Sequence, residues 1–209
     1  MAITKTNLYH VETEKSFLNL YNYLLENAVP TYFDSIVKQE DNSYMSCFVG
    51  DFELMRINQN PYTGGVILYS AFGESKTCKP TGTDYKYYRC AYKCGSGIMI
   101  AIISDTIPAL TITKDNNGDT VIIITSNFSL SSSNITSYCI NKYSNIKSRV
   151  IYKADGDAAT ALCPIVVPST PLAYVQSGYL LVYSESDAVG IMELNGEQYL
   201  TNGLWCLKD

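Results

Sequence analysis

The chain has 209 residues, 46% of them apolar and only 17% charged, so it is long enough to bury a real core and carries too little charge to stay unfolded. Its net charge of −5 and the absence of any Lys/Arg run exclude general nucleic-acid binding, which needs a basic footprint. Eighteen Tyr stand against six Phe, one Trp and one His; Tyr packs on one side and hydrogen-bonds on the other, which suits β-sheets and wet contact surfaces and points to binding and assembly more than to proton transfer.

Residues 1–16 lack the apolar stretch of a secretory signal, and nowhere do apolar residues approach the ~18 in a row of a spanning helix. A soluble protein made in a cytoplasm is expected. Residues 14–29 predict an amphipathic helix: Phe17, Leu18, Leu20, Tyr21, Leu24, Leu25, Ala28 and Val29 recur with the i, i+3, i+4, i+7 spacing of a buried stripe. Thr13 is the expected N-cap, and Asn27 and Pro30 supply the stop. Such a helix covers a sheet face or docks on a neighbouring subunit.

After Pro30 the chain turns to short runs of Val, Ile, Tyr and Thr punctuated by turn residues. Strands are expected at 34–37, 44–49, 52–57, 66–72, 85–92, 98–103, 110–113 and 120–125. The clearest hairpin turn of these lies at 114–119, where Gly118 is free to take positive φ. Residues 126–137 are Ser-rich and read as a surface loop or a sub-boundary between two β units. Further strands are expected at 138–140, 149–152 and 178–183, with Pro164, Pro168 and Pro171 punctuating the segment between. A last hairpin pairs 190–194 with 197–200 about Asn195-Gly196, and Trp205 is placed to anchor the tail in the core. More than ten short strands and one helix predict a mainly β protein: a sandwich, or two stacked small antiparallel sheets, with one N-terminal amphipathic helix, in a single domain spanning 1–209.

The residues that could carry chemistry are sparse. Seven cysteines, an odd number with no secretory signal, point to reduced, buried thiols. Cys90 and Cys94 are the one close pair; on a strand they share a face but lie roughly 13 Å apart, too far to bridge. A metal shared by that pair on a helix, and an unrecognised disulfide, are the alternatives. The single histidine, His10, precedes the helix and reads as a surface residue rather than a catalytic base. The oxygens of Asp115-Asn116-Asn117-Gly118-Asp119 suggest a cation loop but lack EF-hand spacing, and turn chemistry accounts for them; Asp155-Gly156-Asp157 reads the same way. Asp34, Asp51, Glu53, Glu185, Asp187 and Glu193 would serve a glycosidase only if two of them met. No phosphate-binding glycine loop occurs. No catalytic residue, cofactor or metal site is therefore expected. The remaining signal is a tyrosine cluster: Tyr85, Tyr87, Tyr88 and Tyr92 around Arg89, flanked by Lys86 and Lys93, form a candidate interaction surface, and a platform on which sugars could stack.

The strand-turn-strand stretch 112–124 and the terminal stretch 194–209 resemble segments of structural proteins from bacteriophages and prophages of gut bacteria, and residues 24–37, a helix end running through Pro30 into a strand, are similar in kind. The resemblance covers about a quarter of the chain. It implies a virion component of the tail or baseplate, made in the bacterial host cytoplasm. The chain has no coiled-coil heptads, β-helix repeat or collagen-like period, so a compact adaptor, ring or decoration subunit is expected rather than a fibre shaft. The expected function is that of a non-enzymatic structural subunit acting through contacts with itself, as a homo-oligomer, and with other particle proteins. The alternative is a β-sandwich module that binds carbohydrate or a receptor.

Overall fold

The computed structural model of the chain describes residues 2–80, 86–103, 106–126, 134–146, 148–152, 162–167, 169–181 and 189–209. A short strand, β1 (Thr4–Asn7), precedes the one helix among the described residues, α1 (Thr13–Asn27). The periodic stripe is the buried face: Phe17, Leu20 and Leu24, with Ala28 just beyond the helix, are shut off from solvent. The helix begins differently from the expectation. Thr13 is its first helical residue, and extended Glu12 occupies the cap position without a side-chain capping bond. The Glu12 carboxylate is instead drawn away by the Lys15 ammonium at 2.7 Å, while the Glu12 N–H donates to Nδ1 of His10 at 3.0 Å. One turn on, the buried Ser16 hydroxyl donates to the carbonyl of Tyr88 and accepts its N–H, fastening the helix to a segment 72 residues away.

The chain then builds three antiparallel sheets in turn. The first is a plain meander of β2 (Ser35–Lys38), β3 (Tyr44–Val49), β4 (Phe52–Asn58), β5 (Val66–Tyr69) and β6 (Ser75–Cys78). Strand β5 stops short of its expected end because Ser70 starts a turn: its Oγ accepts the N–H of Phe72 and its carbonyl the N–H of Gly73. The second sheet is a meander of β7 (Cys90–Cys94), β8 (Gly97–Ile103), β9 (Thr106–Lys114), β10 (Thr120–Ser126), β11 (Asn134–Ile140) and β12 (Ser148–Tyr152), with β1 added beside β7. The third contains β13 (Leu162–Val167), β14 (Ala173–Leu181), β15 (Gly190–Leu194), β16 (Glu197–Thr201) and β17 (Trp205–Lys208), in the order β13-β14-β17-β16-β15.

The protein is mainly β with a single described helix, and its sandwich has three layers, with the seven-stranded sheet in the middle. Side chains alternate across that sheet. Ile98, Ile100, Ile102, Leu110, Ile112, Ile122 and Ile124 enter a core shared with α1 and the first sheet. Met99, Ala101, Ala109, Val121 and Ile123 enter a second core shared with the third sheet. This is why the runs at 98–103 and 121–124 are apolar at every position: a strand buried on both faces has no solvent side to mark with polar residues. Trp205 belongs to the second core, fully buried, and its indole N–H donates to Oγ1 of Thr111 on the middle sheet at 2.9 Å. At Gly97 the two layers come so close that a Cβ would lie 2.4 Å from Leu207 Cδ1 and 2.7 Å from the carbonyl oxygen of Ile112.

The Ser-rich stretch 126–137 lies between hydrogen-bonded neighbours, since β10 pairs with β11 from Ile122↔Ile140 to Ser126↔Thr136. Residues 127–133 and 155–157 lie outside the described residues. Cys90 and Cys94 sit on one strand and enter the same core. Together with Cys47, Cys78, Cys139 and Cys206 they are buried thiols; the side chain of Cys163 lies outside the described part.

Candidate contact surfaces and a rim pocket

The tyrosine cluster predicted from sequence is split by the fold. Tyr85 lies outside the described residues. Tyr88 is a core residue and offers no surface: Ser16 clamps its main chain, its ring is fully buried, and its hydroxyl donates to the carbonyl of Asn58 at 2.6 Å. Burial pushes that hydroxyl well above the usual tyrosine range. Tyr92 is only 6% exposed and lies under the Lys5 ammonium, 5.2 Å from its ring centre. Tyr87 and Arg89 stay at the surface, where they meet a residue the sequence did not single out. Tyr9 stacks edge-on against Tyr87 with ring centres 5.3 Å apart. The Arg89 guanidinium lies 4.3 Å from the Tyr9 ring and 5.4 Å from Tyr87. Tyr9 arrives there because the N–H groups of Leu8 and Tyr9 both donate to the carbonyl of Arg89, continuing the β1–β7 pairing; no local pattern announces it. Beside it run the exposed edge strand β1 and Val11, which is 68% exposed.

A second arrangement of the same kind occupies the outer face of the first sheet. Arg56 on β4 lies 4.4 Å from the ring of Tyr44 on β3 and 5.5 Å from that of Tyr69 on β5. Its guanidinium grips the Glu53 carboxylate through two bonds of 2.8 Å, and the Ser46 hydroxyl donates to the same carboxylate. The Glu53 hydrogen bonds raise the Arg56 pKa further above its already high value. Pairing places Val37, Ser46, Arg56 and Ile67 in one row across four strands, and Val37 is 52% exposed. Two of the chain's three arginines thus each lie against a pair of tyrosine rings. Stacking on aromatic faces holds a guanidinium flat with N–H edges still available to a partner.

The third feature is a cavity of about 220 Å³ at the loop end of the second core. Asn117 and Asp119 reach it from the β9–β10 turn, Asn141 and Tyr143 from the segment after β11, and Ser169, Thr170 and Pro171 from the β13–β14 connection. Its frame is a buried carboxylate. Asp115 Oδ1 accepts the N–H groups of Asn117 and Asp119 at 2.8 and 3.0 Å, and Oδ2 accepts the Asn141 amide at 2.8 Å. The sequence reading of 115–119 as a turn matches this geometry, with Gly118 at φ +85°. Asn141 Oδ1 in turn accepts the Tyr143 N–H, and Asn116 ties the turn to Tyr174 through both its main chain and its side chain. Asp119 itself is half-buried and lines the cavity. Partial desolvation, with repulsion from Asp115, raises its pKa, offset by Lys114 and Lys142.

Several of the remaining candidates have other partners. His10 is occupied with Glu12. Glu53 is engaged by Arg56, and Asp34 accepts the N–H of Gly50; Glu185 and Asp187 lie outside the described residues. Among the described residues no group of three or more His, Cys, Asp or Glu is placed to hold a metal, and no helix is long and apolar enough to cross a membrane. Comparison of the chain with protein-family models, with curated proteins and with solved structures gives no match.

Proposed function

We propose that this chain is a non-enzymatic structural subunit of a phage particle, of tail, baseplate, adaptor or decoration type, which assembles with copies of itself and with other particle proteins in the virion. The observation that carries the reading is the pair of Tyr–Arg–Tyr stacks at the surface. Tyr and Arg are the residues that most often dominate binding energy at protein interfaces, because each brings a large rigid area and directional polar groups at small entropic cost. A stack preformed in the free subunit lowers that cost again. Strand β1, next to the first stack, is exposed along its length at the edge of the middle sheet, where a partner strand can extend the sheet. The resemblance of stretches 112–124 and 194–209 to phage structural proteins supplies the particle.

The test is solution mass by size-exclusion chromatography with light scattering at two protein concentrations, run beside Arg56→Ala and Arg89→Ala. A discrete oligomer that shifts toward monomer in at least one variant is expected. A wild-type chain that stays monomeric at both concentrations, and that mass spectrometry does not find in purified virions or tail-like particles, overturns the reading.

A further inference from the structure

We infer that the cavity between the β9–β10 turn, the segment after β11 and the β13–β14 connection is a binding site for a single neutral sugar ring, with Asp119 and Asn117 gripping hydroxyl groups and Tyr143 and Pro171 receiving an apolar face of the ring. Four observations bear on the ligand. The first is size: about 220 Å³ is below the ~300–1,000 Å³ of sites for drug-sized molecules, so the cavity takes one ring and leaves the rest of a chain outside.

The second is the polar lining. Asp119 brings two acceptor oxygens, Asn117 an amide with two donors, and Thr170 a hydroxyl that does either. Ser169 donates its proton to the carbonyl of Pro171 at 2.8 Å, so its oxygen faces the cavity's contents as an acceptor. Neighbouring hydroxyls on a sugar ring need this mixture, since each donates once and accepts. The third is the apolar lining. Tyr143, 46% exposed, and Pro171 line the cavity. A sugar ring presents C–H groups on one face, and aromatic rings, negative on the face, receive them.

The fourth is what the frame excludes. A divalent cation would want several carboxylate oxygens, but those of Asp115 already accept three N–H groups. Among the described residues that leaves Asp119 as the one carboxylate lining the cavity. None of the described lining residues is cationic, so the cavity offers phosphate and other anions no charged partner. A purely apolar ligand would strand the Asp119 and Asn117 groups without partners. The frame also holds the site ready before a ligand arrives: Asp115 fixes the turn carrying Asn117 and Asp119, and through Asn141 it fixes the main chain at Tyr143.

The inference is independent of the assembly reading, because none of the cavity residues belongs to either Tyr–Arg–Tyr stack. The experiment is saturation-transfer NMR of the full chain with a panel of methyl glycosides: glucose, galactose, mannose, and their N-acetylamino counterparts where these exist. At least one glycoside is expected to bind with millimolar affinity, with the strongest transfer to protons on one ring face. Loss of a charge-assisted hydrogen bond in Asp119→Ala, or of the ring in Tyr143→Ala, should weaken it by about tenfold or more. Tyr62→Ala, at an exposed tyrosine in the β4–β5 turn, should leave it unchanged. Thermal melting of each variant separates a lost site from a lost fold. If both cavity variants prove unstable, Asp119→Asn, which keeps the shape, decides. No transfer to any glycoside, or transfer that survives the cavity variants in folded protein, overturns the inference.

Discussion

At the scale of single residues, Asp115 shows how a buried carboxylate is held by N–H donors. Its charge is held by three N–H donors, two of them from the turn it organises. Asp115→Asn keeps the shape and loses the match. The new amide would face the Asn141 amide, and turning Asn141 around would abandon the Tyr143 N–H. A loss of about 2 kcal/mol is expected, read from urea unfolding. A second effect follows from burial of neutral acids. Tyr23 and Tyr32 are pushed from 10.0 up to about 12, and Cys78 and Cys206 from 9.0 up to about 12, in each case chiefly by desolvation. The raised values belong to the folded state, so the unfolded chain gives up these protons first as pH rises. Stability from these groups is complete below about pH 9 and is lost progressively as pH climbs toward about 12. Urea midpoints measured across that alkaline range should fall steadily; a flat profile would show that these groups are solvated.

At the scale of elements, one close contact between layers lies where Gly97 of β8 meets Leu207 of β17. Gly97→Ala would put a methyl group against both Leu207 and the Ile112 carbonyl, and the backbone of β9 cannot retreat as a flexible side chain could. Overpacking of about 1–3 kcal/mol is expected. Gly95→Ala, two residues away, meets nothing closer than 3.4 Å and serves as the control, with little change in midpoint. The same elements show what a reader of the sequence can recover. Hairpins stand out wherever a turn residue separates two runs: Asn195 and Gly196 take φ of 54° and 78°, and β15 pairs with β16 around them as expected. The α1 stripe is equally legible. Strands β1, β6 and β17 are not, because at four residues each they carry too little pattern. The layering of the middle sheet is hidden for a different reason: Val121–Ile124 has no polar position to say which face is which. The surface features are hidden deeper still. Tyr9 meets Arg89 80 positions further along the chain, and the cavity gathers three separate connections, so only long-range pairing brings them together. Tyr88 illustrates the reverse, a residue grouped with surface neighbours by sequence and drawn inward by Ser16.

At the scale of the whole molecule, both cores share the middle sheet, and neither outer sheet can leave without exposing one of its faces. One cooperative unfolding transition is expected. Trp205, the one tryptophan, reports on the second core alone, while far-UV circular dichroism reports on all three sheets. Urea curves from the two signals should superimpose; a fluorescence change that precedes the dichroism would show the third sheet departing by itself.

The middle layer also sets a clock for its amide protons. Strands β8, β9 and β10 have a paired neighbour on either side and packed side chains above and below, so their N–H groups reach deuterated solvent only when the entire structure opens. Those of the edge strands β1, β2 and β15 exchange through local fraying. The spread between the fastest and slowest peptides therefore converts directly into the free energy that separates a loosened rim from a dismantled stack.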